Sequence, residues 1–406
     1  MEKFIYKVLP AARMILSKTG LHLVSFYEMQ DTSKIKQYLK KDSMPLLLNN
    51  CFIVEEKLTL DEKLLLIQKK ISDGTSFHCI CFEGFGCVLA GRNARIVFNL
   101  RDALKALLNN DIEASDNVVR TLSQENDNGV DSLVLNKIAV ITGGAQGFGE
   151  GIVRDLFAKQ ANVVIVDTNK DKGTALADDL NKTHGTANKA LYVHCDISDE
   201  LSVKNMISEV VKNFGGIDVF ISNAGILRAG DLDELELSTF ELMTKINYSG
   251  YFICTKYASK IMKQQYQYAP EYFTDIIQIN SKSGLRGSNK NYAYAGAKFG
   301  GIGLTQSFAL ELMPYNIKVN SICPGNFLDG PLWADPKNGL FVQYLNAGKV
   351  PGAKTIDDVK KYYENQVPAK RGCRVDDVMK AIYYVIDQKY ETGQAIPVTG
   401  GQVMLK

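Results

Sequence analysis

Lys137–Gly149 reads KIAVITGGAQGFG, and Glu150–Lys159 continues it as EGIVRDLFAK. A short apolar run, a glycine-rich turn and an amphipathic run predict strand, turn and helix in immediate succession. Glycines at 143, 147 and 149 let the backbone approach a ligand closely, with Gln146 and Phe148 between them. The helix that follows would offer free N–H groups and a positive dipole end, so the turn reads as a cradle for pyrophosphate. A glycine turn alone often only shapes a loop; the strand before it and the helix after it give this one its meaning.

Outward from that junction the pattern repeats. NVVIVD (Asn162–Asp167), ALYVHCD (Ala190–Asp196) and IDVFISNAG (Ile217–Gly225) are strand-like and alternate with helical runs. Alternation of this kind predicts a parallel sheet covered by helices on both faces, an α/β Rossmann-type doubly wound fold. Asp167 ends the second strand, twenty residues after Gly147. A carboxylate there accepts both adenosine ribose hydroxyls of NAD and repels a 2′-phosphate, and its neighbours Thr168 and Asn169 are neutral, so NAD is expected over NADP. Taken alone, Asp167 also reads as a solvated turn aspartate. Asp196 and Ile197, ending the next strand, are placed to border the adenine.

Upstream, Ser123–Ser132 (SQENDNGVDS) is polar, carries Asn-Gly and has no apolar period, so it reads as a linker. It divides residues 1–122, a smaller α/β domain, from residues 133–406. In the smaller part His22–Met29 and Pro45–Glu56 look like strands, and Asp31–Lys41 and Leu58–Ile71 like helices, the latter capped by Thr59 or Asp61. Phe77–Gly91 reads as strand, glycine turn, strand, and Ala94–Leu108 as an amphipathic helix. The unit folds alone or packs on its neighbour; both readings stand.

Composition narrows the class. The chain has 406 residues, 46% hydrophobic and 23% charged, which suits a globular protein with a sizeable core. Its net charge of +2 offers no general attraction to nucleic acid or a membrane surface. Pro10 and Arg13 interrupt the apolar N-terminal stretch, and no window approaches the roughly 18 apolar residues of a membrane span, so a cytoplasmic location is expected. Eight cysteines, several within strand-like runs, suit reduced buried thiols. His78, Cys79, Cys81 and Cys87 raise the thought of a metal, but Cys79 and Cys81 alternate along an apolar strand with no second pair at zinc spacing, and no metal is expected.

Thr142-Gly-x3-Gly-x-Gly, Asn223-Ala224-Gly225, Asn247, Ser281, Tyr294-x3-Lys298 and Pro324-Gly325 stand in one register. In order and spacing they resemble the short-chain dehydrogenase/reductase family, over about Leu133 to Lys406. The resemblance implies oxidation of a secondary alcohol or reduction of a ketone, with Tyr294 as acid/base and Ser281, Lys298 and Asn247 as its catalytic partners. It also implies a cofactor site of Gly143, Gln146, Gly147, Phe148, Gly149, Asp167, Asp196, Ile197, Asn223, Ala224, Gly225, Tyr294, Lys298, Pro324 and Gly325. A homotetramer is implied as well. The chemistry fits the residue types. Tyrosine ordinarily titrates near ~10, and a lysine one helical turn away, with the oxidised nicotinamide, is expected to bring it toward ~7. Tyr292, the rival base, lies six residues from Lys298 and so on the wrong side of a helix.

DIIQINSKSG (Asp275–Gly284), YAGAKFGGIGLTQSFALEL (Tyr294–Leu312), GNFLDGPLW, QVPAKRGC and ETGQAIPVTGGQVM resemble more narrowly the sorbitol-6-phosphate 2-dehydrogenase group. That resemblance implies sorbitol 6-phosphate and fructose 6-phosphate as the couple interconverted. Lys282, Arg286 and Lys290, close to Ser281, are then candidates for the substrate phosphate; an ordinary solvated basic loop is their alternative. Two other functions remain open: a dehydrogenase of an unphosphorylated polyol or hydroxyacyl substrate, and an NAD-sensing or scaffolding protein. Phe82–Leu104 (FEGFGCVLAGRNARIVFNLRDAL) resembles the end of a class II aldolase-like domain. Only His22 and His78 occur before residue 132, so a truncated relic serving packing, oligomerisation or regulation fits that segment better than a metal-dependent aldolase.

Overall fold

The computed structural model describes the chain except Leu21, 41–43, Ser76, 123–131, 183–186, Glu234, Ser288, Asn338, Ala347 and 405–406. The expected linker therefore lies outside the described residues but for Ser132.

Seven strands form the larger sheet: β5 (Ile138–Thr142), β6 (Asn162–Asp167), β7 (Ala190–His194), β8 (Val219–Ser222), β9 (Thr274–Ile279), β10 (Ile317–Pro324) and β11 (Ala395–Val398). Their order is β11-β10-β9-β8-β5-β6-β7, and every pair is parallel. β5, β6, β8, β9 and β10 are buried or nearly so along their length, which is why their sequences read as continuous apolar runs. The strand order reverses between β5 and β8, which opens a crevice at their carboxyl ends. The expected doubly wound α/β sheet is what folds.

Before it, β1 (Leu23–Glu28), β2 (Cys51–Val54), β3 (Cys79–Phe82) and β4 (Gly86–Gly91) make a four-stranded sheet, ordered β1-β4-β3-β2. The helix Leu60–Ser72 starts with a capping box in which Thr59 and Glu62 satisfy each other's backbone, so Thr59 rather than Asp61 is the cap. One expectation is corrected. Pro45–Glu56 is not one strand: Pro45 opens a 3-10 turn at Leu46–Leu48, and only Cys51–Val54 pairs. The N-terminal stretch is a continuous helix, Glu2–Ser17, with Pro10 inside it. Its apolar residues Phe4, Ile5, Val8, Leu9, Ala12, Ile15 and Leu16 recur at helical spacing and are all buried.

That helix joins the two sheets. Its apolar face shares one core with Ile138, Val140, Phe214, Tyr251 and Ala258 of the larger unit. Arg13 makes a bidentate ion pair with Asp218, both nearly solvent-free, at 2.9 and 2.7 Å. Arg101 donates to Asn213 at 2.8 Å, and Phe98 packs edge-on against Phe214. Gly215, with φ +81°, ends the helix Glu200–Phe214; a Cβ there would lie 2.2 Å from Val24 of β1. Among the described residues no helix is long and apolar enough to cross a membrane.

Candidate active site

The carboxyl ends of β5, β8, β9 and β10 bring the expected site residues together. Thr142 closes β5, and its hydroxyl accepts the N–H groups of Asn223 and Ala224 at 3.0 and 3.1 Å. Asn223 answers through Nδ2, which donates to the carbonyls of Thr142 and Gly143, both at 3.0 Å. This lock between two strand ends is what the Asn-Ala-Gly turn does locally. The partner of Thr142 lies 81 residues away, beyond reach of local spacing.

Gly143 has φ +62°, and Gly149 faces it: a Cβ on Gly149 would lie 2.0 Å from the Gly143 carbonyl. The helix Gly147–Ala158 starts at once, and its N-cap Gln146 supplies no side-chain cap bond. At Gly147 a Cβ would meet only Pro331, at 3.9 Å, so the space over this helix end is open. Exposed N–H groups, a positive dipole end and clearance above them fit a dinucleotide pyrophosphate. Gln146 accepts from Lys172 at 3.0 Å, and Phe148 stacks on Phe327 at 4.4 Å. Asp167 is half-buried beneath the turn and accepts the N–H groups of Ala145 (3.1 Å) and Asn169 (2.9 Å). Asp196 is exposed and caps the Ser198 turn at 2.8 Å, while Ile197 is buried against Gly250. Gly325, after Pro324, donates to Val398 at 2.8 Å, fixing that turn to β11.

Ser281 directly follows Asn280 at the end of β9, and its hydroxyl accepts the Ser283 N–H at 3.1 Å. Tyr294 and Lys298 lie one turn apart on the helix Tyr292–Leu312, with Tyr294 close to Ser281. Lys298, 4% exposed, donates to the Ile279 carbonyl at 2.9 Å and sits 5.5 Å from the Tyr294 ring centroid. Burial pushes the Tyr294 hydroxyl above its ordinary value, with the nearby Ser281 hydroxyl opposing. Burial brings Lys298 down to about 8. The expected lowering of Tyr294 needs the charge of the oxidised nicotinamide beside that of Lys298; in the chain alone burial raises it. Tyr292 is committed elsewhere, donating to the Asp231 carbonyl at 2.9 Å.

Asn247 occupies a π-helical turn, Lys245–Ser249, between two α-helices. Its Oδ1 accepts the Ile226 N–H (2.9 Å) and its Nδ2 donates to the Ile226 carbonyl (2.8 Å), which leaves one N–H and one lone pair for a further partner. Gly225 makes this possible, since a Cβ there would lie 2.7 Å from Oδ1. Of the three basic candidates, Lys282 is half-buried, its charge disfavoured by burial and by Arg286. Arg286 is exposed, and Lys290 is paired with Asp231 at 3.1 Å.

Residues 137–335 match the family model for short chain dehydrogenase. Sorbitol-6-phosphate 2-dehydrogenase of Escherichia coli (strain K12) is 39% identical over 272 residues, which is 66% of this chain and 100% of that protein. The chain belongs to the short-chain dehydrogenase family. It is therefore an oxidoreductase acting on CH–OH groups of small molecules. The trans-4-hydroxycyclohexanecarboxylate dehydrogenase of Sinomonas cyclohexanicum, 31% identical, covers 67% of this chain and 95% of its own length. A crystal structure of sorbitol-6-phosphate 2-dehydrogenase from Erwinia amylovora superimposes with a TM-score of 0.60 at 38% identity, over 66% of this chain and all of that one. The family's nicotinamide dinucleotide fits the crevice at β5 and β8, where the glycine turn leaves its helix end open.

Proposed function

We propose that this short-chain dehydrogenase interconverts sorbitol 6-phosphate and fructose 6-phosphate with NAD, in the cytoplasm and as a homotetramer. The observation that carries the phosphate is Lys282. It follows Ser281 directly, is half-buried beside Arg286, and among the described residues no carboxylate offsets its burial. A cation desolvated next to a like charge is costly, and an anionic group on the substrate would relieve both costs. Arg286 extends the same basic edge, whereas Lys290 is held by Asp231. The named activity of the 39% identical relative supports the same couple.

In this reading Ser281 donates a hydrogen bond to the reacting oxygen and Tyr294 takes the alcohol proton, returning it in the reverse direction. Lys298 supplies the positive charge beside Tyr294, and the spare capacity of Asn247 holds a water that relays the proton. Bound NAD supplies hydride acceptance. Gly143, Gly147 and Gly149 would hold its pyrophosphate, Asp167 its adenosine ribose, with Asn223, Ala224, Gly225, Pro324 and Gly325 lining the remainder. Asp167, with neutral Thr168 and Asn169 after it, favours NAD, although Lys172 beside Gln146 is a cation within range of the same edge. Phe299 and Leu310, 46% and 83% exposed on the helix Tyr292–Leu312, support an interface between copies. Residues 1–122, read as a truncated aldolase-like unit joined through 123–132 to a dehydrogenase domain of 133–406, serve packing.

The test is NADH formation with sorbitol 6-phosphate against sorbitol, mannitol 1-phosphate and other polyols, with NADP in parallel. Lys282→Ala is expected to raise KM for sorbitol 6-phosphate ~10–100-fold, the worth of a charge-assisted bond, and to leave KM for sorbitol unchanged. An equal effect on both alcohols would remove the case for a phosphate at Lys282.

A further inference from the structure

Asn280 lies between the end of β9 and Ser281 and is 4% exposed. Its carboxamide reaches two members of the candidate site at once. Oδ1 accepts the Ser281 N–H at 2.8 Å, and Nδ2 donates to the Lys298 carbonyl at 2.9 Å and to Gln278 Oε1 at 2.8 Å. Lys298 answers by donating Nζ to the carbonyl of Ile279, the residue before Asn280. Two opposed bonds thus clamp the strand end that carries Ser281 onto the helical turn that carries Tyr294 and Lys298.

The clamp has a rigid footing. Gln278 Oε1 also accepts from Ser321 at 2.9 Å, Ser321 shares a hydrogen bond with Thr305 at 2.8 Å, and Thr305 shares one with Tyr251 at 3.1 Å. A Cβ on Gly284 would lie 2.3 Å from Asn280 Oδ1, and one on Gly301 would lie 2.5 Å from Gln278 Nε2, so both glycines make room for this ladder. Asn280 spends its acceptor and both of its donors inside the protein, which explains why a polar group is tolerated so deep. With both donors used and the side chain 4% exposed, it is not a ligand contact.

We propose that Asn280 is a positioning residue that sets the Ser281 hydroxyl against Tyr294 and Lys298. This rests on the reading in which those three residues carry the chemistry. The requirement is specific to a carboxamide. Alanine loses both sides of the bridge. Aspartate keeps the acceptor for Ser281 but turns a carboxylate toward the Lys298 carbonyl and Gln278 Oε1. A shift of ~1 Å in a reacting group costs on the order of 100-fold in rate.

The experiment compares wild type, Asn280→Ala, Asn280→Asp and Tyr294→Phe for NADH formation across pH, with sorbitol 6-phosphate and with sorbitol, alongside NADH binding by fluorescence. Both Asn280 variants are expected to lose ~10–100-fold in kcat, with KM and NADH affinity held. The alkaline limb of kcat, where Lys298 loses its proton, is expected to move upward in both. In Asn280→Ala the loosened clamp rehydrates Lys298, and in Asn280→Asp the new carboxylate favours its ammonium. If Tyr294→Phe is inactive while both Asn280 variants keep the wild-type kcat and pH limb, the proposal is overturned. It is also overturned if kcat falls only in step with NADH-binding capacity, with the limb unmoved, since that marks lost fold alone. If Tyr294→Phe turns over like wild type, the reading of the site itself fails.

Discussion

Lys298 carries the clearest linkage between burial and titration. Its folded value of about 8 lies below the ordinary 10.5, so the fold disfavours its charged form. For a lysine shifted this way the penalty is fully present below pH 8 and disappears as pH rises to the unfolded value. The upper bound is about 3 kcal/mol. Lys298→Met is therefore expected to abolish turnover, yet wild type should gain stability relative to the variant between pH 7 and pH 10 in urea unfolding. A stability gap identical at both pH values would contradict the burial assigned to it. The same neighbourhood separates the two tyrosines. Tyr292→Phe loses one hydrogen bond to the Asp231 carbonyl and should keep kcat within ~5-fold, as a neutral bond of about 1 kcal/mol allows.

At the scale of elements, the strand–turn–helix at β5 is the part most readable from sequence. Its signals are local: the apolar run of β5, glycines where φ is positive or a Cβ has no room, and a helix directly after. Gly149→Ala puts a methyl 2.0 Å from the Gly143 carbonyl and forces the turn open. NADH titration should show at least ~10-fold weaker binding, while Gly287→Ala, where nothing lies within 4 Å, should bind as wild type. Tyr294 and Lys298 were legible for a similar reason, being four residues apart on one helix. Other elements were not. No helix is expected from the sequence over Glu2–Ser17, although its apolar period runs straight through Pro10. Ile112–Leu122 is a further helix with no expectation behind it. The Thr142–Asn223 lock and the Asn280 bridge depend on strand ends meeting in space, which no window of sequence contains.

Across the whole molecule, the seam at 123–132 suggested two units, but the core ignores that seam. Phe4 and Val8 pack in the same cluster as Val140 and Phe220, and Arg13 neutralises Asp218 at the start of β8, where Asp218 also accepts the Ile138 N–H at 2.8 Å. Removing one partner leaves the other charge buried and unpaired, so Arg13→Ala should cost about 3–5 kcal/mol. Thermal unfolding followed by calorimetry is expected to show one transition for wild type, lowered in the variant; two separated transitions would mean that the units unfold independently. The joint core also places the N-terminal helix against the helices Glu200–Phe214 and Gly250–Tyr268, while Ser281, Tyr294 and Lys298 meet at the carboxyl ends of the strands. The catalytic claim therefore rests on that one cluster, and Tyr294→Phe tests it most directly. With sorbitol 6-phosphate and NAD, the account predicts a loss of at least ~10³-fold in kcat with NADH affinity unchanged, because only the proton acceptor is removed. A variant that still turned over within ~10-fold of wild type would contradict Tyr294 as the acid/base.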